Sequence, residues 1–382
     1  MPGEHTLGDL VEIDDRTVLV IGQELDVAHE QPDVGHALVH RAGEYLVLVD
    51  TGVTEAFRAA LRTAVDRVGP WSRLLLLTTH GHTDHVGNND LVDELAAERG
   101  VPVEHWVPAR DLEQMRDPVT YWEHAFDRIA GVAPLPAPPA LSAKKIVSLF
   151  QPLHPFGATT RAYEERPLER LTLGSARMTG WSFGDGAVRV LRSQGHTAGH
   201  VVVHLRDAGL VHLGDEANGG CGAMPDADQL KLHTVLGAVA TAVAEGAVSI
   251  VTQAHDAAVR RGDEAVAHLD ELVDQGVALQ DAALHVTAGH EPVDPHRFLD
   301  DFTRKISEVG GGGPNPNPVF TGMMAVNVLA ELGLRPDRGR DDHPWSRPDR
   351  TDPEPVAGMP HGLALLLAVA AMVGWKLRGR DK

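Results

Sequence analysis

The chain has 382 residues, of which 43% are hydrophobic, so it can bury a large core, and its length suits one large domain with appendages. Its formal net charge of −20 argues against nucleic acid as a partner, because recognition of a duplex depends on a basic surface. A single cysteine, Cys221, excludes an internal disulfide bond, and the N-terminus lacks the basic start and apolar core of a secretory signal. We therefore expect a cytoplasmic protein.

The first quarter of the chain predicts a sheet with a helix beside it. Apolar alternation and β-branched runs indicate strands near residues 18–21, 37–39, 45–49 and 74–78. Helical spacing covers residues 54–68, with Thr54 as the N-cap and Gly69-Pro70 as the stop.

Metal-binding side chains are concentrated directly after the last of these strands. His80, His82, Asp84 and His85 form a His-x-His-x-Asp-His motif at the end of an apolar run. The composition gives this motif a chance occurrence on the order of half a per cent, so it is a specific signal.

A long stretch, about residues 104–180, separates this motif from the next and is predicted to be an insertion that shapes the entrance of the site. It contains Tyr121, Trp122, Phe126 and a Pro-rich segment at 134–139. Loops of this length are usually functional or disordered. The helical spacing of Trp122 and Phe126 favours a lid that packs on the body, and direct contact with the substrate is the alternative.

The second half repeats the scheme of strands and helices. Strands are predicted at 188–191, 201–205, 210–213 and 248–251, and helices at 230–244 and 263–281. His196, Asp215 and His255 each follow one of these strands. Two strand-rich halves with flanking helices predict an α/β protein, a four-layer α/β/β/α sandwich.

The seven polar side chains at strand ends suit two metal ions. Imidazole and carboxylate bind borderline ions such as zinc, and a catalytic zinc keeps three protein ligands and one open position. One set is His80, His82 and His196, the other is Asp84, His85 and His255, and Asp215 is left to bridge them. Two such ions can activate a hydroxide for hydrolysis, so we assign catalytic roles to Asp84 and Asp215. We expect zinc, with iron or manganese as alternatives.

After about residue 290 the pattern becomes a helical extension. Residues 298–309 and 320–332 have helical spacing, and the second of these helices is suited to docking or to forming a homodimer. The uncharged run 362–375 is short for a membrane span, so a membrane anchor and a buried helix are both open. We divide the chain into a catalytic domain, a helical extension, a flexible linker and an apolar C-terminal segment, at 1–290, 291–334, 335–358 and 359–382.

The order of these motifs resembles that of the metallo-β-lactamase-fold hydrolases. In that family a His-x-His-x-Asp-His motif, a later Gly-His-Thr-x-Gly-His, a Gly-Asp and a final strand-end histidine follow one another. The likeness covers roughly residues 10–285. Val49-Asp50-Thr51-Gly52 is similar to a further motif near the family's N-terminus. The resemblance implies the metallo-β-lactamase fold, with metals at one edge between two sheets, and the motif wording resembles the glyoxalase II (hydroxyacylglutathione hydrolase) branch.

The resemblance implies a binuclear metallohydrolase that cleaves a thioester or a related activated ester or lactone through a bridging metal hydroxide. The expected partner is a small acyl thioester or ester. Arg260 and Arg261 are candidates for binding the carboxylates of a glutathione thioester, and a solvated basic pair is the alternative. A mononuclear-iron sulfur (persulfide) dioxygenase and a phosphodiesterase are the other functions that this fold leaves open.

Overall fold

The computed structural model describes residues 5–130, 143–218, 222, 224–309, 318–337 and 344–347. Two compact units divide the chain, one of residues 1–128 and 136–277 and one of residues 129–135 and 278–382. Cys221, the whole Pro-rich segment 134–139 and the C-terminal segment 359–382 lie outside the described residues.

Seven strands follow one another in the first sheet. They are β1 (Leu10–Asp14), β2 (Thr17–Val20), β3 (Ala37–Ala42), β4 (Tyr45–Val49), β5 (Arg73–Leu77), β6 (Val103–Val107) and β7 (Thr160–Ala162). Strands β1 to β4 pair antiparallel, and β4 to β7 pair parallel. The carboxyl ends of β4 and β5 therefore lie at the same edge of the sheet.

The second sheet also has seven strands. They are β8 (Glu169–Leu173), β9 (Ala176–Phe183), β10 (Val188–Arg192), β11 (Val201–Leu205), β12 (Leu210–His212), β13 (Ile250–Thr252) and β14 (Arg260–Arg261). Their spatial order runs from β14 to β8 in reverse chain order. Only the β12–β13 pair among these strands is parallel, so the carboxyl ends of those two strands also share one edge.

The described helices lie between and after the strands. They are α1 (Glu55–Arg67), α2 (Thr83–Val86), α3 (Leu91–Arg99), α4 (Leu112–Arg116), α5 (Pro118–Ala130), α6 (Ala143–Val147), α7 (Gln229–Ala244), α8 (Gly262–Thr287), α9 (Pro295–Val309) and α10 (Pro318–Glu331). At the start of α1 the hydroxyl of Thr54 accepts a hydrogen bond from the Phe57 amide at 3.2 Å, as its predicted capping role requires. Within the described part of the chain, no helix is both long and apolar enough to cross a membrane.

Alternating side chains of the strands build the predicted four-layer sandwich. In β4, Leu46 and Leu48 belong to a buried cluster with residues of α1 and α3, whereas Val47 and Val49 face the second sheet. On its outer face the second sheet packs against α7 and α8, through residues such as Val211 and Leu236. Period-two alternation thus gives each sheet two apolar faces, and the α/β/β/α architecture is confirmed.

The stretch 104–180 differs from the prediction of a single insertion. Four strands, β6 to β9, lie wholly or largely within it, and they belong to the two sheets. The described residues of this stretch outside the sheets are those between β6 and β7, which include α4, α5 and α6, and the short turns that connect β7, β8 and β9. Charged residues such as Glu104 hide the strand pattern of β6, whose sheet position depends on pairing with the remote β5.

The second unit contains the predicted helical extension. Helices α9 and α10 occupy the two ranges with helical spacing, and Phe298 and Phe302 stack in α9 with ring centroids 5.1 Å apart. In the predicted flexible stretch 335–358, Trp345 is buried and exchanges backbone hydrogen bonds with Val293. This part of the stretch is therefore packed, because burial of the large indole outweighs the polar composition around it.

Candidate metal centre

The structure brings together all seven side chains that were predicted as metal ligands. They come from four chain segments, each after the end of a strand, namely β5, β10, β12 and β13. The parallel pairs β4–β5 and β12–β13 deliver three of these segments to one edge of the two sheets. The ligand atoms form two groups, and within each group they lie within 4.8 Å of one another. The first group consists of His80, His82, His196 and Asp215, and the second consists of Asp84, His85, His255 and Asp215.

Three imidazoles form the first group. Nδ1 of His82 lies 2.9 Å from Nε2 of His80 and 3.2 Å from Nε2 of His196. Four donors around a tetrahedral zinc at the usual bond length are about 3.3 Å apart, which is close to these spacings. The three rings are buried, and burial holds the pKa of His80 and of His196 well below its usual value. The rings are therefore neutral, as metal ligation requires.

The second group pairs two imidazoles with carboxylates. Oδ2 of Asp84 lies 3.1 Å from Nε2 of His85 and 3.3 Å from Nε2 of His255. Burial opposes a charge on His85, but Asp84 and Asp215 outweigh it and raise the pKa of this ring well above its usual value. A metal ion would take the place of the proton in this acidic surrounding.

Asp215 joins the two groups with its two oxygens. Its Oδ2 lies 3.4 Å from Nε2 of His196, whereas its Oδ1 lies 3.2 Å from Nε2 of His85 and 3.4 Å from Nε2 of His255. Oδ1 of Asp215 and Nε2 of His85 are both buried, and although these atoms lie 3.2 Å apart, neither makes a well-aligned hydrogen bond among the described residues. Such converging atoms fit a shared divalent ion, because a buried polar atom without a partner is otherwise costly.

Asp50 orients the ligands of both groups. It accepts hydrogen bonds from the Thr79 amide at 2.7 Å, from the Thr79 hydroxyl at 2.6 Å and from Nδ1 of His85 at 3.0 Å. The Thr79 hydroxyl also lies 3.0 Å from Nδ1 of His80. These contacts leave Nε2 of both histidines for a metal, a role that the motif at residues 49–52 did not reveal in the sequence.

His200 supports Asp215 from behind. Its Nε2 accepts a hydrogen bond from the Asp215 amide at 3.1 Å, and its Nδ1 lies 3.1 Å from Glu216. Glu216 is buried and also accepts hydrogen bonds from the amides of Gly195 and His196, at 2.9 and 3.1 Å. The second histidine of the Gly-His-Thr-x-Gly-His segment is thus a positioning residue and belongs to neither ligand group.

Aromatic side chains of α5 cover one side of the first group. The ring of Trp122 stacks on His82, with centroids 5.8 Å apart and an angle of 29° between the planes. Phe126 lies 5.9 Å from Trp122, and the hydroxyl of Tyr121 donates to Asp226 at 3.2 Å. Trp122 and Phe126 are half-buried, so this helix places an apolar wall beside the candidate centre.

One arginine of the basic pair after His255 is already paired with a carboxylate. Arg260 forms an ion pair with Asp256 at 2.5 Å, and its side chain is only 16% exposed. Arg261 lies at the exposed end of β14. The structure therefore removes the proposed role of Arg260 in binding the carboxylates of glutathione.

Comparisons with known proteins agree on the fold. Residues 31–164 match the sequence model of the metallo-beta-lactamase superfamily. A beta-lactamase domain protein from Burkholderia ambifaria is similar in structure, with a TM-score of 0.56 and 17% identity over 91% of this chain and 96% of that one. A metallo-beta-lactamase family protein from Thermus thermophilus has a TM-score of 0.50 and 17% identity, over 82% of this chain and 94% of that one. No curated protein sequence gives a significant match.

A larger protein shares the same architecture. The stereoselective inverting sec-alkylsulfatase from Pseudomonas sp. has a TM-score of 0.54 and 17% identity, over 96% of this chain but 57% of that one. At such low identity these likenesses show the fold and leave the reaction open. The predicted metallo-β-lactamase fold is confirmed, whereas the glyoxalase II branch stays a prediction.

Proposed function

Because the chain has the metallo-β-lactamase fold and two ligand groups that share one carboxylate, we propose that it is a metal-dependent hydrolase. The observation that carries the proposal is the placement of Asp215, whose Oδ2 faces the imidazoles of the first group and whose Oδ1 faces those of the second. Two divalent ions, when bound, lower the pKa of coordinated water and polarise the bond that is to be cleaved.

The side chains of this centre have separate tasks in the proposal. His80, His82 and His196 would hold the first ion, Asp84, His85 and His255 would hold the second, and Asp215 belongs to both ligand groups. Asp50 and Thr79 fix the ring orientations through the hydrogen bonds described above. Asp84 and Asp215 also supply the negative charge that balances two dications in a buried place.

We propose an activated carboxyl ester, thioester or lactone with an apolar group as the substrate. The half-buried rings of Trp122 and Phe126 offer an apolar contact surface beside the centre. Arg260 is engaged by Asp256, which leaves the exposed Arg261 as the remaining candidate of this pair for the carboxylates of a glutathione conjugate. Thiolate leaving groups need little protonation, so a thioester among these substrates requires no general acid besides the metals.

Two rival functions have weaker support. A mononuclear-iron sulfur dioxygenase needs one metal group only, whereas here the second group of Asp84, His85 and His255 is complete. A phosphodiesterase acting on nucleic acid is disfavoured by the net charge of −20.

The test is a substrate panel with the zinc-loaded protein. It contains apolar acyl thioesters, aryl esters, lactones, S-lactoylglutathione, a phosphodiester and a secondary alkyl sulfate. We expect hydrolysis of the apolar esters or thioesters, loss of that activity with a chelator or in Asp215→Asn, and retention in His204→Ala, a buried histidine outside both groups. Activity on the phosphodiester or the alkyl sulfate alone would refute the substrate class, and one tightly bound iron with oxygen uptake on a persulfide would refute the hydrolase.

A further inference from the structure

One buried carboxyl group outside both ligand groups touches the two loops that carry the first group. Oδ2 of Asp111 accepts a hydrogen bond from the amide of Gly81 at 3.0 Å and another from the hydroxyl of Thr197 at 2.9 Å. Gly81 stands between the ligands His80 and His82, and Thr197 follows the ligand His196 in the chain. A single oxygen atom therefore connects the segments that deliver all three imidazoles.

The surroundings of Asp111 are built to hold this side chain. Asp111 is 1% exposed and ends a short turn after β6, where its amide donates to the carbonyl oxygen of Pro108 at 3.2 Å. A Cβ atom on Gly81 would lie 2.8 Å from Cβ of Asp111, and one on Gly199 would lie 2.3 Å from its Oδ1. Neither position can carry a larger residue without moving the carboxyl group, so the two glycines leave room for it.

The spacing of the imidazole nitrogens makes this contact matter for metal binding. Nδ1 of His82 lies 2.9 Å from Nε2 of His80, and both residues belong to one loop. Nδ1 of His82 also lies 3.2 Å from Nε2 of His196, which belongs to a second loop and is 114 residues away in the chain. Outside the ligands themselves, fixing this distance requires a group that touches both loops. The carboxylate of Asp111 touches both loops, one through the Gly81 amide and the other through the Thr197 hydroxyl.

We propose that Asp111 is a positioning residue that sets the placement of His196 relative to His80 and His82 and thereby the metal affinity of the first group. This inference rests on the metal-binding part of the proposed function and is independent of the substrate. Partners that orient metal ligands typically contribute 10–100-fold to metal affinity, so we expect an effect of roughly that size.

The experiment measures zinc affinity of each group separately by competition with a chromophoric chelator. Asp111→Ala is combined with His255→Ala, which leaves the first group complete, and in a second protein with His196→Ala, which leaves Asp84, His85 and His255 intact. We expect Asp111→Ala to weaken zinc binding roughly 10–100-fold in the first background and less than about threefold in the second. Asp111→Asn, which keeps an acceptor oxygen, should restore most of the affinity.

Controls separate positioning from general loss of stability. His40→Ala removes a fully buried ring that lies within hydrogen-bonding distance of Thr17 and Asp207 and belongs to neither group; it should lower thermal stability without changing zinc affinity. If Asp111→Ala does not fold, the pair Thr197→Val and Thr197→Ser decides, because only serine keeps the hydroxyl that donates to Asp111.

Three results would overturn the inference. They are unchanged affinity of the first group in folded Asp111→Ala, equal weakening of both groups, and equal affinities for Thr197→Val and Thr197→Ser. A wild-type protein that binds no metal would instead refute the proposed function together with this inference.

Discussion

Individual hydrogen bonds decide which nitrogen each ligand histidine offers. Nδ1 of His85 is engaged by Asp50 and Nδ1 of His80 by Thr79, so both rings turn Nε2 toward the centre, whereas His82 turns Nδ1. Residue type and order in the sequence were enough to predict which side chains assemble. The orienting partners could not be predicted, because Asp50 and Asp111 contact Thr79 and Gly81, the neighbours of the ligands, from 29 and 30 positions away in the chain.

Replacement of Asp50 by asparagine tests the orientation of His85. An asparagine offers one acceptor oxygen where Asp50 now accepts three hydrogen bonds, from two groups of Thr79 and from His85. We expect the zinc affinity of the second group to fall roughly 10–100-fold in Asp50→Asn. Competition with a chelator measures it, and Asp207→Asn, a carboxylate paired with Arg16 and His40 instead, is the control. Equal affinities of the two variants would contradict the orienting role.

At the scale of elements, helix α5 has a more specific place than its sequence indicated. Helical spacing of Trp122 and Phe126 left open whether these rings pack or contact substrate. Trp122 does pack, on the ring of His82, and its half-buried surface stays beside the centre. The ambiguity arose because the surface that α5 covers is formed by a loop more than 30 residues earlier in the chain.

Trp122→Ala tests whether this wall contacts substrate. Loss of part of a buried indole contact is worth about 1–2 kcal/mol, so KM for an apolar acyl ester should rise roughly tenfold while kcat stays within about threefold. Zinc content should be unchanged, and Trp122→Phe should keep most of the affinity. An unchanged KM for long and short acyl chains would show that α5 only packs on His82.

His105 of strand β6 gives the fold a predictable response to acid. It is fully buried between the hydroxyls of Thr78 and Thr160, and burial lowers its pKa to about 3. The unfolded chain then binds the proton more readily than the folded chain. The stability that the neutral ring of His105 contributes is therefore fully present above about pH 6.5 and is lost as the pH falls toward 3.

His105→Gln should remove that part of the pH dependence. Between pH 7.5 and pH 4.5 the loss of unfolding free energy should be about 2–3 kcal/mol smaller in the variant than in the wild type. Urea unfolding at both pH values, with a chelator present throughout, measures it. Identical pH dependence of the two proteins would show that His105 does not stay neutral in the fold.

For the whole molecule, the sequence predicted the layers better than the strands. Runs such as Leu46–Leu48 and Leu74–Leu76 in β4 and β5 are apolar on both faces and indicated buried strands at once. Strands β6 to β9 were hidden because polar and charged residues interrupt their apolar pattern and because their place in the sheets depends on pairing with other strands. The placement of the motifs after strands still predicted that the ligands meet at one edge of the sheets, since parallel strands bring their carboxyl ends together.

A membrane anchor in the C-terminal segment 359–382 stays a prediction. Attachment to a membrane surface is one of the two interpretations of the apolar run 362–375 with its following basic residues, and a buried helix is the other. Deletion of residues 359–382 should leave zinc content and hydrolysis unchanged and move the protein from the membrane fraction to the supernatant. A full-length protein found only in the supernatant without detergent would refute the anchor.

The most direct test of the central claim is elemental analysis of the wild type and of Asp215→Ala. Because the two oxygens of Asp215 face different ligand groups, the wild type should hold two divalent ions per chain, and the variant should lose affinity for both. His255→Ala should lose chiefly one ion and serves as the comparison. Two tightly bound ions in a folded Asp215→Ala protein, or none in the wild type, would contradict the shared two-metal centre.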